Sequence, residues 1–266
     1  MATAGIVLCA DDYGIAPGVS RAICDLLERE RLSATSCMVV SPDFVAQGAL
    51  LIPYIGRADI GLHLTLTHNR SLNGLMLAAF TRKLDKREVS AEVEGQIARF
   101  TQVMGRAPDF IDGHQHVHLL PGVREAVVAA AMRVGAYLRL TDEPLSAILR
   151  GGISPGKAAF LSLLSRPLAR RAKRLGIAHN SGFRGVRSFA ESGSFRTLFA
   201  RMIAGAPAGC LIMCHPGLVD ATLIGRDPVT DSREDEYRYL MSEDFPADLA
   251  AAKLRLARLT DALEPA

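Results

Sequence analysis

Hydrophobic positions along the chain fall into short, continuously apolar runs separated by longer stretches with helical spacing. Residues 5–10 form the first run, which stops at Asp11-Asp12-Tyr13-Gly14. Residues 35–41, 59–67, 110–113, 136–140 and 209–215 repeat the pattern, and residues 176–179 are a weaker instance between the last two. Runs of this length, rich in β formers and apolar on both faces, predict buried strands. Between them, residues 19–29 place Val19, Ile23, Leu26 and Leu27 on one helical face. Residues 90–104, 121–134, 194–204 and 247–263 read as further amphipathic helices. Ser90 is expected to cap the first of these, with Glu92 and Glu94 in its first turns and Gly105 as its stop. Pro42 opens another helix. Residues 67–89 mix turn and basic residues and read as a long loop, whereas residues 141–176 read as helical and basic.

About seven strand–helix units in succession predict an α/β fold with a parallel sheet covered on its outer face. The expected architecture is a distorted TIM-like (β/α) barrel of about seven parallel strands, forming a single domain over residues 1–266. No Gly-x-Gly-x-x-Gly follows the first strand, which argues against a dinucleotide fold. A length of 266 residues and a hydrophobic content of 49% suit one barrel of this kind. The net charge of +3 carries no nucleic-acid footprint. No apolar run approaches the roughly 20 residues of a membrane span, and no basic region precedes the first apolar run as a signal peptide requires. The five cysteines are odd in number and lie in apolar surroundings, so they read as reduced core residues of a cytoplasmic protein. Cys210-x-x-x-Cys214 sits in a buried strand and reads the same way.

Chemistry enters at the strand ends, where such barrels collect it. Strand one ends in Asp11-Asp12, strand three carries His63, strand five carries Arg139 and strand seven ends in His215. Strand four runs from Asp112 into His114, His116 and His118, so three of the seven histidines fall within five residues. If that piece is extended, alternation turns all three imidazoles to one side. Taken alone, each residue has a plain structural role: His63 as a core histidine, Asp11-Asp12 as a helix cap, Arg139 in an ion pair, His215 capping a strand. Together they bring carboxylates, imidazoles and a guanidinium to one rim. One carboxylate and two imidazoles are a common set for a divalent cation with positions left for water, and a second carboxylate beside it can take a proton.

At these residues the sequence resembles the YdjC-like carbohydrate deacetylase family, which includes chito-oligosaccharide deacetylases and a branch associated with hopanoid biosynthesis. The matching motifs are Ala10-Asp11-Asp12-Tyr13-Gly14, Gly61-Leu62-His63-Leu64-Thr65, Asp112-Gly113-His114-Gln115-His116-Val117-His118 and Met213-Cys214-His215-Pro216-Gly217. The run from Arg233 through Glu236 to Leu240 also fits. The resemblance implies hydrolysis of an N-acetyl group from an amino sugar, in an oligosaccharide or a glycolipid head group. It also implies one divalent metal ion, Mg²⁺ or Zn²⁺, and a homodimer. It makes Asp12, His63 and His114 the metal ligands, with His118 the alternative third ligand. Asp11 becomes the general base and His215 the general acid. Tyr13, Arg139, His116 and His118 are then expected to touch substrate or to support the ligands. Two other readings stay open on the residues alone: another metal-dependent barrel hydrolase, such as an amidohydrolase or phosphoesterase, and a non-catalytic sugar-binding barrel.

Overall fold

The first strand, β1 (Ala4–Tyr13), runs through the middle of the sheet and is buried along almost its whole length. The computed structural model describes residues 3–68, 70–188, 193–259 and 261. Around β1 lie β2 (Ala34–Cys37), β3 (Asp59–Leu64), β4 (Phe110–Gly113), β5 (Tyr137–Leu138), β6 (Phe183–Arg184), β7 (Leu211–Cys214) and β8 (Leu254–Leu256). The order across the sheet is β5-β4-β3-β2-β1-β7-β6, and every pairing is parallel. β8 takes the start of β1, opposite Ala4–Ile6, while β7 takes its later half, opposite Val7–Ala10. The apolar runs form strands because both faces of each are covered: helices pack outside, and side chains fill the curled interior. Gly61 on β3 marks one tight spot, since an added Cβ would stand 2.4 Å from the Phe110 ring on β4.

The two edges of the sheet meet. The Leu138 amide donates to Ala178 O at 3.0 Å, and Ser181 N donates to Gly209 O at 2.9 Å. Between them the buried Asn180 side chain replaces a stretch of ladder. Its Oδ1 accepts from Leu140 N at 2.8 Å, and its Nδ2 donates to Leu140 O at 3.0 Å and to Gly182 O at 2.7 Å. The seam is thus closed by a short backbone bridge and by one side-chain amide.

Four local expectations need correction. Residues 67–89 are not a loop: Leu72–Phe80 is a helix whose N-cap Ser71 accepts from Gly74 N. Its sequence is apolar nearly all round, so it lacks the polar face that marks a surface helix. The following helix is Lys86–Met104, capped by Asp85 rather than Ser90, which stands exposed inside it. Its charged first turn resembles loop composition, although Gly105 does end it in the left-handed conformation at φ 69°. The sixth strand is Phe183–Arg184, and residues 176–179 contribute only the bridge from Leu138 to His179. The closing helix ends at Ala251, and Leu254 and Leu256 enter β8 instead; residues 260, 262 and 263 of the expected helix lie outside the described residues. A short apolar run with that spacing fits either period. No helix among the described residues is long and apolar enough to cross a membrane.

The seam yields a stability test. Asn180→Ala leaves three buried backbone groups without their partner and is expected to lower the unfolding free energy by about 2–3 kcal/mol, measured by urea denaturation. A loss under about 0.5 kcal/mol would mean that this amide does not hold the seam.

Candidate metal centre and active site

Consecutive residues of a regular strand face opposite sides, yet Asp11 and Asp12 both reach the same cavity. A bulge in β1 explains this. The register with β2 shifts between Ala10 and Tyr13, and Asp12 sits in the left-handed region at φ 67°. Aspartate tolerates that conformation better than most residues, and a bulge re-aims the side chains beside it. Neither aspartate caps the helix Pro17–Glu28, whose N-cap is Ala16.

Parallel pairing sets the next contact. His63 on β3 is the register partner of Asp112 on β4. His63 Nδ1 donates to Asp112 Oδ1 at 2.7 Å, and Ser36 Oγ from β2 donates to the same oxygen at 2.5 Å. With Nδ1 held, His63 Nε2 faces Asp12 Oδ1 at 3.4 Å. His114 Nδ1 approaches that oxygen at 3.1 Å. Asp12 Oδ2 is taken by Arg233 Nη2 at 2.6 Å, and the same guanidinium group holds Asp227 at 2.5 Å. Burial alone would raise the Asp12 carboxyl, but Arg233 and the bonds from His114 and His63 hold it well below the usual carboxylate range. Burial would likewise lower His63, yet Asp112 and Asp11 raise it to about 10.

Beside this group Arg139 is fully buried and grips Asp11 with both ends: Nη1 to Oδ1 at 2.7 Å and Nη2 to Oδ2 at 2.9 Å. Its Nη2 also lies 3.0 Å from Asp112 Oδ2. His215, at the end of β7, places Nε2 4.0 Å from Asp11 Oδ2. Burial lowers the His215 pKa, against the pull of Asp12 and Asp11, so its ring is neutral at neutral pH. The His215 backbone N–H donates to Glu236 Oε2 at 2.5 Å, and Arg187 pairs with the other Glu236 oxygen.

The histidine run does not lie extended. Residues His114–Leu119 form a 3₁₀ turn, with Gln115 and His116 both left-handed at φ 53° and 60°. The three imidazoles therefore diverge, and the expectation of a shared face is corrected. Two consecutive non-glycine residues in that region cost backbone energy, and such strain gathers at functional sites. His114 turns back to Asp12. His116 lines the cavity and packs edge-on against Phe183 at 5.7 Å. His118 is fully buried, donates from Nε2 to Arg139 O at 3.0 Å, and is not among the residues that line the cavity. Tyr13 is also turned into the core, its hydroxyl donating to Gln47 O at 2.8 Å.

Two clusters of ligand-type atoms follow among the described residues. Asp12, His63 and His114 bring one oxygen and two nitrogens within 4.8 Å of one another. Cys9, Asp11 and Asp112 bring one sulfur and two oxygens equally close, but there the cation is already supplied by Arg139. The first set fits a divalent ion: Asp112 fixes the His63 ring with Nε2 outward, and Arg233 occupies one Asp12 oxygen and leaves the other. Sequence reasoning noted Arg233 and Glu236 without roles and passed over Ser36, Arg187 and Asp227. Arg233 and Glu236 are one helical turn apart on Asp231–Met241, a spacing that puts both on one face.

The cavity above these groups holds about 550 Å³. Asp11, Asp12, His114 and His215 form its floor, and Leu72, Met76, Leu120, Phe160 and Leu164 contribute an apolar wall.

A barrel of parallel strands with a carboxylate and histidines at its C-terminal rim has known relatives. The chain belongs to the YdjC-like protein family, whose model matches residues 5–251. It is 28% identical over 233 residues to a chitooligosaccharide deacetylase of Serratia marcescens and 30% identical over 233 residues to one of Yersinia pestis; each match covers 82% of this chain and 84% of the relative. Among solved structures, a protein from Enterococcus faecalis superposes with a TM-score of 0.73 at 20% identity, covering 98% of this chain and 99% of the other. A peptidoglycan N-acetylglucosamine deacetylase superposes at 0.55 with 12% identity, covering 99% and 90%. A family 4 acetyl xylan esterase from Clostridium thermocellum, in complex with a cobalt ion, superposes at 0.51 with 12% identity, covering 97% and 89%. These three likenesses establish a shared fold.

The buried turn carries a pH test. Burial pushes the His118 pKa down to about 4 against the pull of Asp112, with Arg139 adding to the depression. Its Nδ1 has no partner among the described residues, so a second ring proton would be buried unpaired. The unfolded chain takes up that proton below about pH 6.5, the folded protein only near 4. The stabilisation is therefore complete above about 6.5 and is lost as pH falls toward 4, by about 3 kcal/mol at most. Urea titrations of the parent and of His118→Gln between these limits should show a shallower pH slope in the variant; equal slopes would remove His118 from the acid response.

Proposed function

We propose that this protein is a metal-dependent hydrolase that removes an N-acetyl group from an amino sugar, in an oligosaccharide or a glycolipid head group. The reading is carried by one juxtaposition: the Asp12–His63–His114 set stands beside a second carboxylate, Asp11, held by Arg139, with His215 4.0 Å from it. It agrees with the deacetylase names of the relatives.

Asp12, His63 and His114 would hold the ion, and the mixed nitrogen and oxygen donors suit Zn²⁺ better than Mg²⁺, which prefers oxygen. When bound, such an ion polarises the acetyl carbonyl and lowers the pKa of water. Asp11 accepts the proton of the attacking water. Arg139 grips both Asp11 oxygens and so fixes which lone pairs face the cavity. His215 is neutral in the resting protein, so it becomes an acid by receiving that proton across the gap from Asp11. It then delivers the proton to the departing nitrogen. The new C–O bond replaces the C–N bond, and acetate and a free amine leave. Glu236 sets the position of His215 through the backbone N–H, and His116 stands in the cavity wall where the sugar would pass. The apolar wall offers Phe160 and Leu120 to the C–H faces of a sugar ring. His118 and Tyr13 support the floor from within the core. A homodimer receives no support from the structure and is not part of the reading.

Asp11→Asn keeps the shape of the carboxylate but cannot accept the proton. It is expected to bind metal at the parent stoichiometry by elemental analysis and to lose at least about a thousandfold in acetate release from a panel of N-acetyl sugars. Acetate release by the parent should stop with chelator and return with metal. Full turnover by the variant would remove Asp11 from its role, and absence of acetate from every donor with metal bound would favour an amidohydrolase, a phosphoesterase or a sugar-binding barrel.

A further inference from the structure

Among the described residues, six of the twelve large apolar side chains that stand exposed lie on three helices, two of which line the cavity. They are Leu77 and Phe80, Leu145 and Leu149, and Phe160 and Leu163, between 47% and 67% exposed. The first pair belongs to the helix Leu72–Phe80, which follows β3 and lends Leu72 and Met76 to the cavity wall. The second lies on the helix Leu145–Gly151, which follows β5 and packs against the helix Pro155–Leu175. The third lies on that last helix, where Phe160 itself lines the cavity. On the first and third of these helices the exposed apolar side chains therefore share a helix with apolar residues of the cavity wall. Apolar side chains gathered this way mark a contact surface, whereas scattered ones need no explanation.

The charges around them are mostly basic, with Asp85, Glu88, Asp142 and Glu143 the nearby acids. Arg82, Lys83, Lys86 and Arg87 follow the first helix and are exposed, and Arg150 and Lys157 stand beside the other two pairs. Residues 145–164 contain no acid at all. Near the first helix, Asp85 is committed to its helix cap and Glu88 pairs with Arg70 at 3.0 Å. A second copy of the chain meeting this face symmetrically would bring basic residues against basic residues. An anionic lipid surface meets both features: apolar side chains enter the acyl boundary, and lysine and arginine reach phosphate at the head-group level.

We propose that this rim docks on an anionic lipid bilayer, with the cavity opening onto the membrane surface. The proposal does not depend on the deacetylase reading, because it concerns where the mouth rests and not what is cleaved there.

The test uses the full chain and sedimented vesicles of two kinds: pure phosphatidylcholine, and phosphatidylcholine with about one quarter phosphatidylglycerol. The protein should pellet with the anionic vesicles and be released as salt is raised. The double variant Leu77→Ser, Phe80→Ser should bind about tenfold or more weakly, with an unchanged circular dichroism spectrum and melting temperature. Met132→Ser, an exposed apolar site on another helix, should bind as the parent does. Failure to pellet with either vesicle, equal pelleting with both at all salt concentrations, or equal loss in the double variant and in Met132→Ser would each overturn the proposal. So would salt-sensitive self-association in analytical ultracentrifugation, abolished by the double variant, with no vesicle binding.

Discussion

The buried guanidinium of Arg139 is the interaction on which the rest of the site depends. Asp11 and Asp112 come from different strands and both are nearly or wholly shielded from water. Two carboxylates in that position repel each other and lose hydration, so their burial calls for a cationic partner. Arg139 bonds both oxygens of Asp11 and lies against Asp112. Asp112, with His63 and Ser36 also bonded to it, is held at about 2 despite its burial. An ionised Asp112 in turn fixes the His63 ring, and the His63 ring faces Asp12. A single cation therefore pairs with both carboxylates and, through Asp112, sets the orientation of the His63 ring beside Asp12.

Charge at the site extends that logic. Asp11, Asp12, Asp112, Asp227 and Glu236 are met by Arg139, Arg187 and Arg233. Three guanidiniums meet these five carboxylates, so the site is rich in acidic groups. The raised pKa of His63 reflects the same acidic surroundings, with Asp112 and Asp11 favouring its protonated form. Metal uptake must then displace that proton.

Much of this was legible in the chain because buried parallel strands write themselves as unbroken apolar runs. The polar residues that end those runs, Asp11-Asp12, His63, Arg139 and His215, stand out against them. What failed was local conformation. Alternating histidines suggest an extended strand, but Gln115 and His116 adopt left-handed angles that no periodicity announces. The helix Leu72–Phe80 hid because its outer face is apolar as well. Arg233, Glu236 and Asp227 were obscure for another reason. They lie more than 200 residues from Asp11 and Asp12 and act through tertiary contacts, so only the fold shows that one helical turn supports both Asp12 and His215.

The most direct test is a crystal structure of the zinc-loaded protein with the ion located by anomalous scattering. The account predicts one ion within about 2.0–2.2 Å of an Asp12 oxygen and of one nitrogen each from His63 and His114, with Arg139 still gripping Asp11. An ion seated between Asp11 and Asp112 in place of the guanidinium, or ligated by His116 and His118, would contradict it.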